Sequence, residues 1–188
     1  MEISSFLDRK LDRRFATYDV DGDGYTDRSD FEKAAAAMVA EFGLEPEDAA
    51  AARLTGLCLE LWEVLAAAAD ADIDSRISRT EYKNAFAAGL LETEDSFEAG
   101  YLPFLDAIMD IADTDGDGRL SPAEHSRWIA SLMNVPPGDA VAIARRLDAD
   151  GDGYIDRQEI LDAIHAYYFD EDPESAGSWL LGPLGNDG

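Results

Sequence analysis

The stretch Asp148-Ala-Asp-Gly-Asp-Gly-Tyr-Ile-Asp-Arg-Gln-Glu159 sets oxygen-bearing side chains at positions 1, 3, 5, 9 and 12, with a glycine at position 6. Oxygen at that spacing suits a hard divalent cation, calcium above all. Asp148, Asp150 and Asp152 supply carboxylates along one tight turn, and Gly153 takes a positive φ at little steric cost. Tyr154 offers its main-chain carbonyl, Asp156 binds directly or through a water, and Glu159 reaches back with both oxygens. The bland alternative is an acidic, glycine-rich surface turn, which has no need of this spacing.

The stretch occurs four times, at loop starts 51, 43 and 35 residues apart. Loop 1 offers Asp19, Asp21, Asp23, the Tyr25 carbonyl, Asp27 and Asp30. Loop 2 offers Asp70, Asp72, Asp74, the Arg76 carbonyl, Ser78 and Glu81. Loop 3 offers Asp113, Asp115, Asp117, the Arg119 carbonyl, Ser121 and Glu124, with Pro122 where a helix would start. Loop 4 is the stretch already described. Apolar residues fall one, four, five and eight positions before each loop, and resume at helical spacing after it. Ala112, Met109, Ile108 and Leu105 precede loop 3, for example; Arg14 breaks the pattern before loop 1. The unit is therefore the helix–loop–helix of an EF-hand.

An all-α fold follows: four EF-hands in two pairs, each pair joined by a short antiparallel β bridge, packed as a compact globule. Position 8 of each loop should carry the bridge, Thr26 with Ile77 and Leu120 with Ile155. Residues 1–91 would hold hands 1 and 2, residues 92–169 hands 3 and 4, and 170–188 a tail whose Trp179-Leu-Leu181 could dock over the seam. Helix breaks are expected at Glu41–Pro46 and Asn134–Gly138, and between the halves at Glu92–Asp95 with a helix start on Pro103.

The sites are not equal. Loops 3 and 4 have every expected ligand type. Loop 1 ends on Asp30 where glutamate is usual, so fewer oxygens reach the ion and magnesium competes better there. Loop 2 has Ser75 in place of the glycine, and a non-glycine residue at positive φ costs roughly 1 kcal/mol. Ile73 and Arg76 also suit a tight turn poorly. Hand 2 is expected to be structural, and hands 1, 3 and 4 to bind.

The 188 residues carry a net charge of −26, from 41 acidic and 15 basic side chains. The four loops hold 18 of those acids, so the extreme charge is largely the metal sites themselves. Charge of this sign argues against nucleic acid and anionic membranes. Cys58 is a single cysteine, read as a buried inert thiol. No apolar run is long enough to span a bilayer, and Met1-Glu-Ile-Ser-Ser-Phe6 does not read as a leader, so a cytoplasmic location is expected.

With its uneven loop spacing, weakened second hand and the ending Tyr167-Tyr-Phe-Asp-Glu-Asp-Pro-Glu-Ser-Ala-Gly-Ser-Trp-Leu-Leu-Gly-Pro183, the chain resembles the calerythrin-like and sarcoplasmic calcium-binding family. That resemblance implies one globule, ions at hands 1, 3 and 4, and a buffering or transport role. Asp70, Asp72, Asp74 and Glu81 depart from a fully lost second hand.

Calcium ions are the expected ligand and partner, and a monomer is the expected state. A calcium sensor acting on a protein partner is the alternative to a buffer. Sensors present a methionine-rich groove; this chain has four Met including Met1, and no cluster of them. An enzyme is not expected, because His125 and His165 are the only histidines and join no catalytic constellation.

Overall fold

The computed structural model of the chain describes residues 4–88 and 94–184, the side chains of 94–100 excepted. Eight α-helices are described: α1 Ser5–Tyr18, α2 Arg28–Glu41, α3 Ala49–Ala69, α4 Arg79–Ala87, α5 Glu94–Ala112, α6 Pro122–Leu132, α7 Pro137–Leu147 and α8 Arg157–Phe169. Two short strands, β1 Tyr25–Thr26 and β2 Ile77–Ser78, pair antiparallel with Thr26 opposite Ile77. In the other half Leu120 and Ile155 form an isolated antiparallel bridge, each N–H donating to the other carbonyl at 2.8 Å. Both bridges fall where the loop register puts them, and Thr26, Ile77, Leu120 and Ile155 are all fully buried.

The helices begin for reasons written in the loops. Position 9 of each loop (Asp27, Ser78, Ser121, Asp156) is the N-cap of the exit helix, and position 12 (Asp30, Glu81, Glu124, Glu159) is the third residue that completes its capping box. Two expected metal ligands per hand are thus fixed by helix initiation. Pro122 occupies the first turn of α6, where a missing N–H costs little.

Pro103 does not start a helix. It lies inside α5, which begins at Glu94. Proline in a helix interior forfeits one i→i−4 hydrogen bond and costs about 3 kcal/mol. The burial of Leu105, Ala107, Ile108, Met109, Ile111 and Ala112 on the following turns offsets that cost.

One contiguous core runs through both halves. Tyr18 stacks on Phe31 at 5.2 Å between ring centres, Phe31 meets Trp62 at 5.7 Å, and Phe86 stacks on Tyr168 at 5.5 Å, joining α4 to α8. Arg14, the break in the apolar pattern, still takes the buried place its register assigns. Lys10 is also fully buried, and its ammonium donates to the carbonyls of Asp170 at 2.6 Å and Ala166 at 3.3 Å. The lysine adds a second donor to the Ala166 carbonyl, which also accepts from the Asp170 N–H, and ties α1 to the C-terminal end of α8.

The tail turns through a 3₁₀ segment, Gly177–Trp179, and buries Leu180 and Leu181. Arg13 Nε donates to the Leu181 carbonyl at 2.6 Å, and the Arg146 guanidinium lies 3.7 Å over the Trp179 ring. The tail therefore bridges α1 and α7. No helix among the described residues is long and apolar enough to cross a membrane.

Candidate metal centres

Each loop closes on its own backbone in the same way. The position-1 carboxylate accepts from the position-6 N–H: Asp19 from Gly24 at 3.0 Å, Asp70 from Ser75 at 3.0 Å, Asp113 from Gly118 at 2.8 Å and Asp148 from Gly153 at 3.1 Å. The position-5 carboxylate accepts from the position-7 N–H: Asp23 from Tyr25 at 3.0 Å, Asp74 from Arg76 at 2.8 Å, Asp117 from Arg119 at 2.9 Å and Asp152 from Tyr154 at 2.8 Å. These bonds hold the acids inward, against a mutual repulsion that a divalent cation would relieve.

Ligand oxygens converge to within 4.8 Å of one another at four places: Asp19, Asp21 and Asp23; Asp70, Asp72 and Glu81; Asp113, Asp115 and Glu124; Asp148, Asp150 and Glu159. The donor set is all carboxylate, which suits calcium or magnesium and not a softer metal. In loops 1 and 4 the buried Oδ1 atoms of Asp19 and Asp148 have no hydrogen-bond partner among the described residues, and acceptors left in that state fit a cation.

The position-12 residues divide the hands. Glu81, Glu124 and Glu159 each stand within their cluster, while Asp30 does not join that of loop 1. Asp30 Oδ2 is engaged by the Asp27 N–H at 2.9 Å, and burial raises its carboxyl above the usual range. Glu124 behaves in the opposite way. Burial works against its charge, but donors from Thr114 and Ser121 outweigh it and hold the carboxyl at about 2. Loop 1 differs at position 3 as well: Lys33 Nζ lies 2.8 Å from Asp21 Oδ2 and lowers that carboxyl through the hydrogen bond. Desolvation, with neighbouring carboxylates adding to it, raises Asp72 and Asp115.

Loop 2 folds like the others with the wrong residues. Positions 4 and 6 are left-handed in every loop, glycine in loops 1, 3 and 4, but Ile73 at φ 62° and Ser75 at φ 65° in loop 2. A β-branched residue there is a conformational outlier. Ile73 is also 86 % exposed, so its side chain gains no burial in return.

Two arginines and a lysine matter that spacing did not single out. Arg76 pairs with Asp23 of loop 1 and lies 4.0 Å over the Tyr25 ring; Arg119 does the same in the other half with Asp152 and Tyr154. The readable signal was complementarity: loops 2 and 3 carry arginine at position 7 where their partners carry tyrosine. Arg76, which suits a tight turn poorly in the sequence, is accommodated by pointing across the pair. Lys33 lies beyond its loop and had no such signal.

Two titratable side chains outside the loops are buried. Cys58 is buried and free, and burial pushes its thiol up to about 12. Burial lowers His125 to about 4, so it is neutral at pH 7; it lies edge-on to Trp128 at 5.4 Å.

A family model of the EF hand matches residues 105–124 and 145–162. A calcium-binding protein of Streptomyces coelicolor, described in terms of prokaryotic calcium-mediated regulation, superposes with a TM-score of 0.76 at 40 % identity, covering 88 % of this chain and 99 % of that one. Calerythrin of Saccharopolyspora erythraea is 26 % identical, over 85 % of this chain and 90 % of its own length. The amphioxus sarcoplasmic calcium-binding protein, at 19 % identity, shares the fold with a TM-score of 0.70 over 97 % of this chain and 99 % of its own.

Proposed function

The chain belongs to the EF-hand calcium-binding proteins of the calerythrin and sarcoplasmic type, and from that premise we propose that it is a monomeric cytosolic calcium buffer or transporter with working sites at hands 1, 3 and 4. The observation that carries the buffering role is the tail. Leu180 and Leu181 are buried in the core, and Arg13 donates to the Leu181 carbonyl. Met38 and Met109 are buried and Met133 packs against the core, so they form no exposed methionine surface for a target helix.

Asp113, Asp115, Asp117, Ser121 and Glu124 would hold one ion, and Asp148, Asp150, Asp152, Asp156 and Glu159 another, with the Arg119 and Tyr154 carbonyls. Asp19, Asp21, Asp23, Asp27 and Asp30 would hold the third with the Tyr25 carbonyl. Asp30 standing outside its cluster supports weaker calcium preference there and better competition by magnesium. Hand 2 keeps Asp70, Asp72, Asp74, Ser78 and Glu81, but the left-handed Ile73 and Ser75 support a site that contributes structure instead of binding. The free, buried Cys58 is consistent with a reducing compartment.

The regulatory setting of the Streptomyces coelicolor relative favours one second reading, a sensor acting on a protein partner. Calcium titration calorimetry with and without magnesium, run beside binding of an apolar dye, separates the two. A buffer takes up three calcium ions with little change in dye binding between the magnesium and calcium forms. A large calcium-specific rise in dye binding would make it a sensor, and a fourth calcium would overturn the silence of hand 2.

A further inference from the structure

Among the described residues, the buried Arg14 guanidinium has no carboxylate partner. Arg14 is 4 % exposed and Trp128 3 % exposed, and both line a cavity of about 30 Å³ enclosed by α1, α5, α6, α8 and the tail. A second cavity of about 20 Å³ lies on the α1–α2 side and shares Arg14, Phe104 and Met133 with the first. The Arg14 guanidinium donates from Nη1 to Met133 Sδ at 3.2 Å and lies 4.5 Å over the Tyr18 ring. Among the described residues no carboxylate pairs with it, and neither Arg14 Nε nor Trp128 Nε1 has a hydrogen-bond partner.

Both orphans are obligate donors. A guanidinium buried without a counter-charge is costly. A trapped water in the cavity that both residues line would leave the charge uncancelled. An acceptor that also carries a negative charge answers both needs, and the volume admits only one or two water-sized groups. We propose that the Arg14–Trp128 cavity is a binding site for a small monovalent anion, a halide. Its apolar walls, Ile108, Ile129 and Ile164 among them, make dehydration of the ion the main cost, so weakly hydrated anions are preferred and fluoride or sulfate rejected. The net charge of −26 repels anions from the outside. Loading the loops with calcium reduces that repulsion, so calcium and the anion bind with positive linkage. The site does not depend on whether the protein is a buffer or a sensor.

The test uses the full chain, calcium-loaded, with Trp62→Phe and Trp179→Phe leaving Trp128 as its reporter. Sodium bromide and chloride are titrated against fluoride, acetate and gluconate at equal ionic strength, reading tryptophan emission and the melting temperature. The expected result is a saturable emission change with a rise in Tm for bromide and chloride, and none for acetate, which exceeds the cavity. Arg14→Met abolishes both responses while raising the Tm in gluconate, because the unpaired charge is gone. Trp128→Phe, read by Tm alone, weakens the response about fivefold, the worth of one hydrogen bond. A response that fails to saturate, or one that survives Arg14→Met, overturns the site. So does a bromide-soaked crystal whose cavity density lacks anomalous signal and is water only.

Discussion

Arg119, at position 7 of loop 3, donates from Nη1 to Oδ2 of Asp152 in loop 4 at 2.7 Å, and its guanidinium lies 4.1 Å from the centre of the Tyr154 ring. Asp152 is an expected ligand of loop 4, and the main chain of Arg119 is an expected ligand of loop 3. One residue therefore belongs to both sites, and filling one loop fixes a group the other needs. An exposed ion pair and a cation–π contact are each weak, so the expected coupling is about a few-fold in affinity. In Arg119→Ala the cooperativity between sites 3 and 4, measured by calorimetry, should fall toward independence. Arg119→Lys keeps a charge without the planar stack and should retain part of it. Unchanged cooperativity in the alanine variant would show that the bridge at Leu120 and Ile155 couples the sites alone.

Loop 2 stores strain that the others avoid. Ile73→Gly and Ser75→Gly each remove a left-handed non-glycine residue, worth roughly 1 kcal/mol. In calcium-free buffer each should raise Tm by about 2–4 °C, as expected per kcal/mol for a chain of this size. In calcium the double variant should gain a fourth ion, because Asp70, Asp72 and Glu81 already converge. If Tm rises while the stoichiometry stays at three, strain is not what silences the hand.

What the sequence made legible was local. Ligand spacing located all four loops, helical periodicity located the flanks, and the position-8 residues located both bridges. What it hid was settled by distant packing. Arg14 looked like a flaw in an apolar pattern, because nothing nearby in sequence shows that α5, α6 and α8 surround it. Pro103 looked like a helix start because the rule for proline is local, whereas the burial that carries α5 through it is not. The Arg76–Asp23 and Arg119–Asp152 pairs require two loops face to face before either arginine has meaning.

Lys33 holds Asp21 Oδ2 at 2.8 Å, so a cation entering loop 1 must compete with an ammonium for one of its carboxylates. Both side chains are about half exposed, so solvent screening keeps the pair weak. Lys33→Met should raise calcium and magnesium affinity at hand 1 by up to about fivefold and leave hands 3 and 4 unchanged. Adding salt should narrow the difference, since screening weakens the competing pair. An equal change at all sites would instead reflect net charge.

Gly177 is the point where the tail turns against α8. A Cβ there would stand 2.4 Å from the Ala166 Cβ, 2.6 Å from its carbonyl carbon and 2.7 Å from the Tyr167 nitrogen. Two of the three atoms are backbone and cannot swing aside, so Gly177→Ala must lift the tail or shift the helix. Overpacking of this kind costs typically 1–3 kcal/mol, and Tm should fall by about 2–4 °C for each kcal/mol. Lifting the tail would also withdraw Leu180 and Leu181 from the core and break the bond from Arg13 to the Leu181 carbonyl. The variant should therefore bind an apolar dye in both the calcium-free and calcium-loaded forms. A deletion after Asp170 should show the same dye binding without the steric clash. If Gly177→Ala melts normally and binds no more dye than the parent, the tail is not what covers the core.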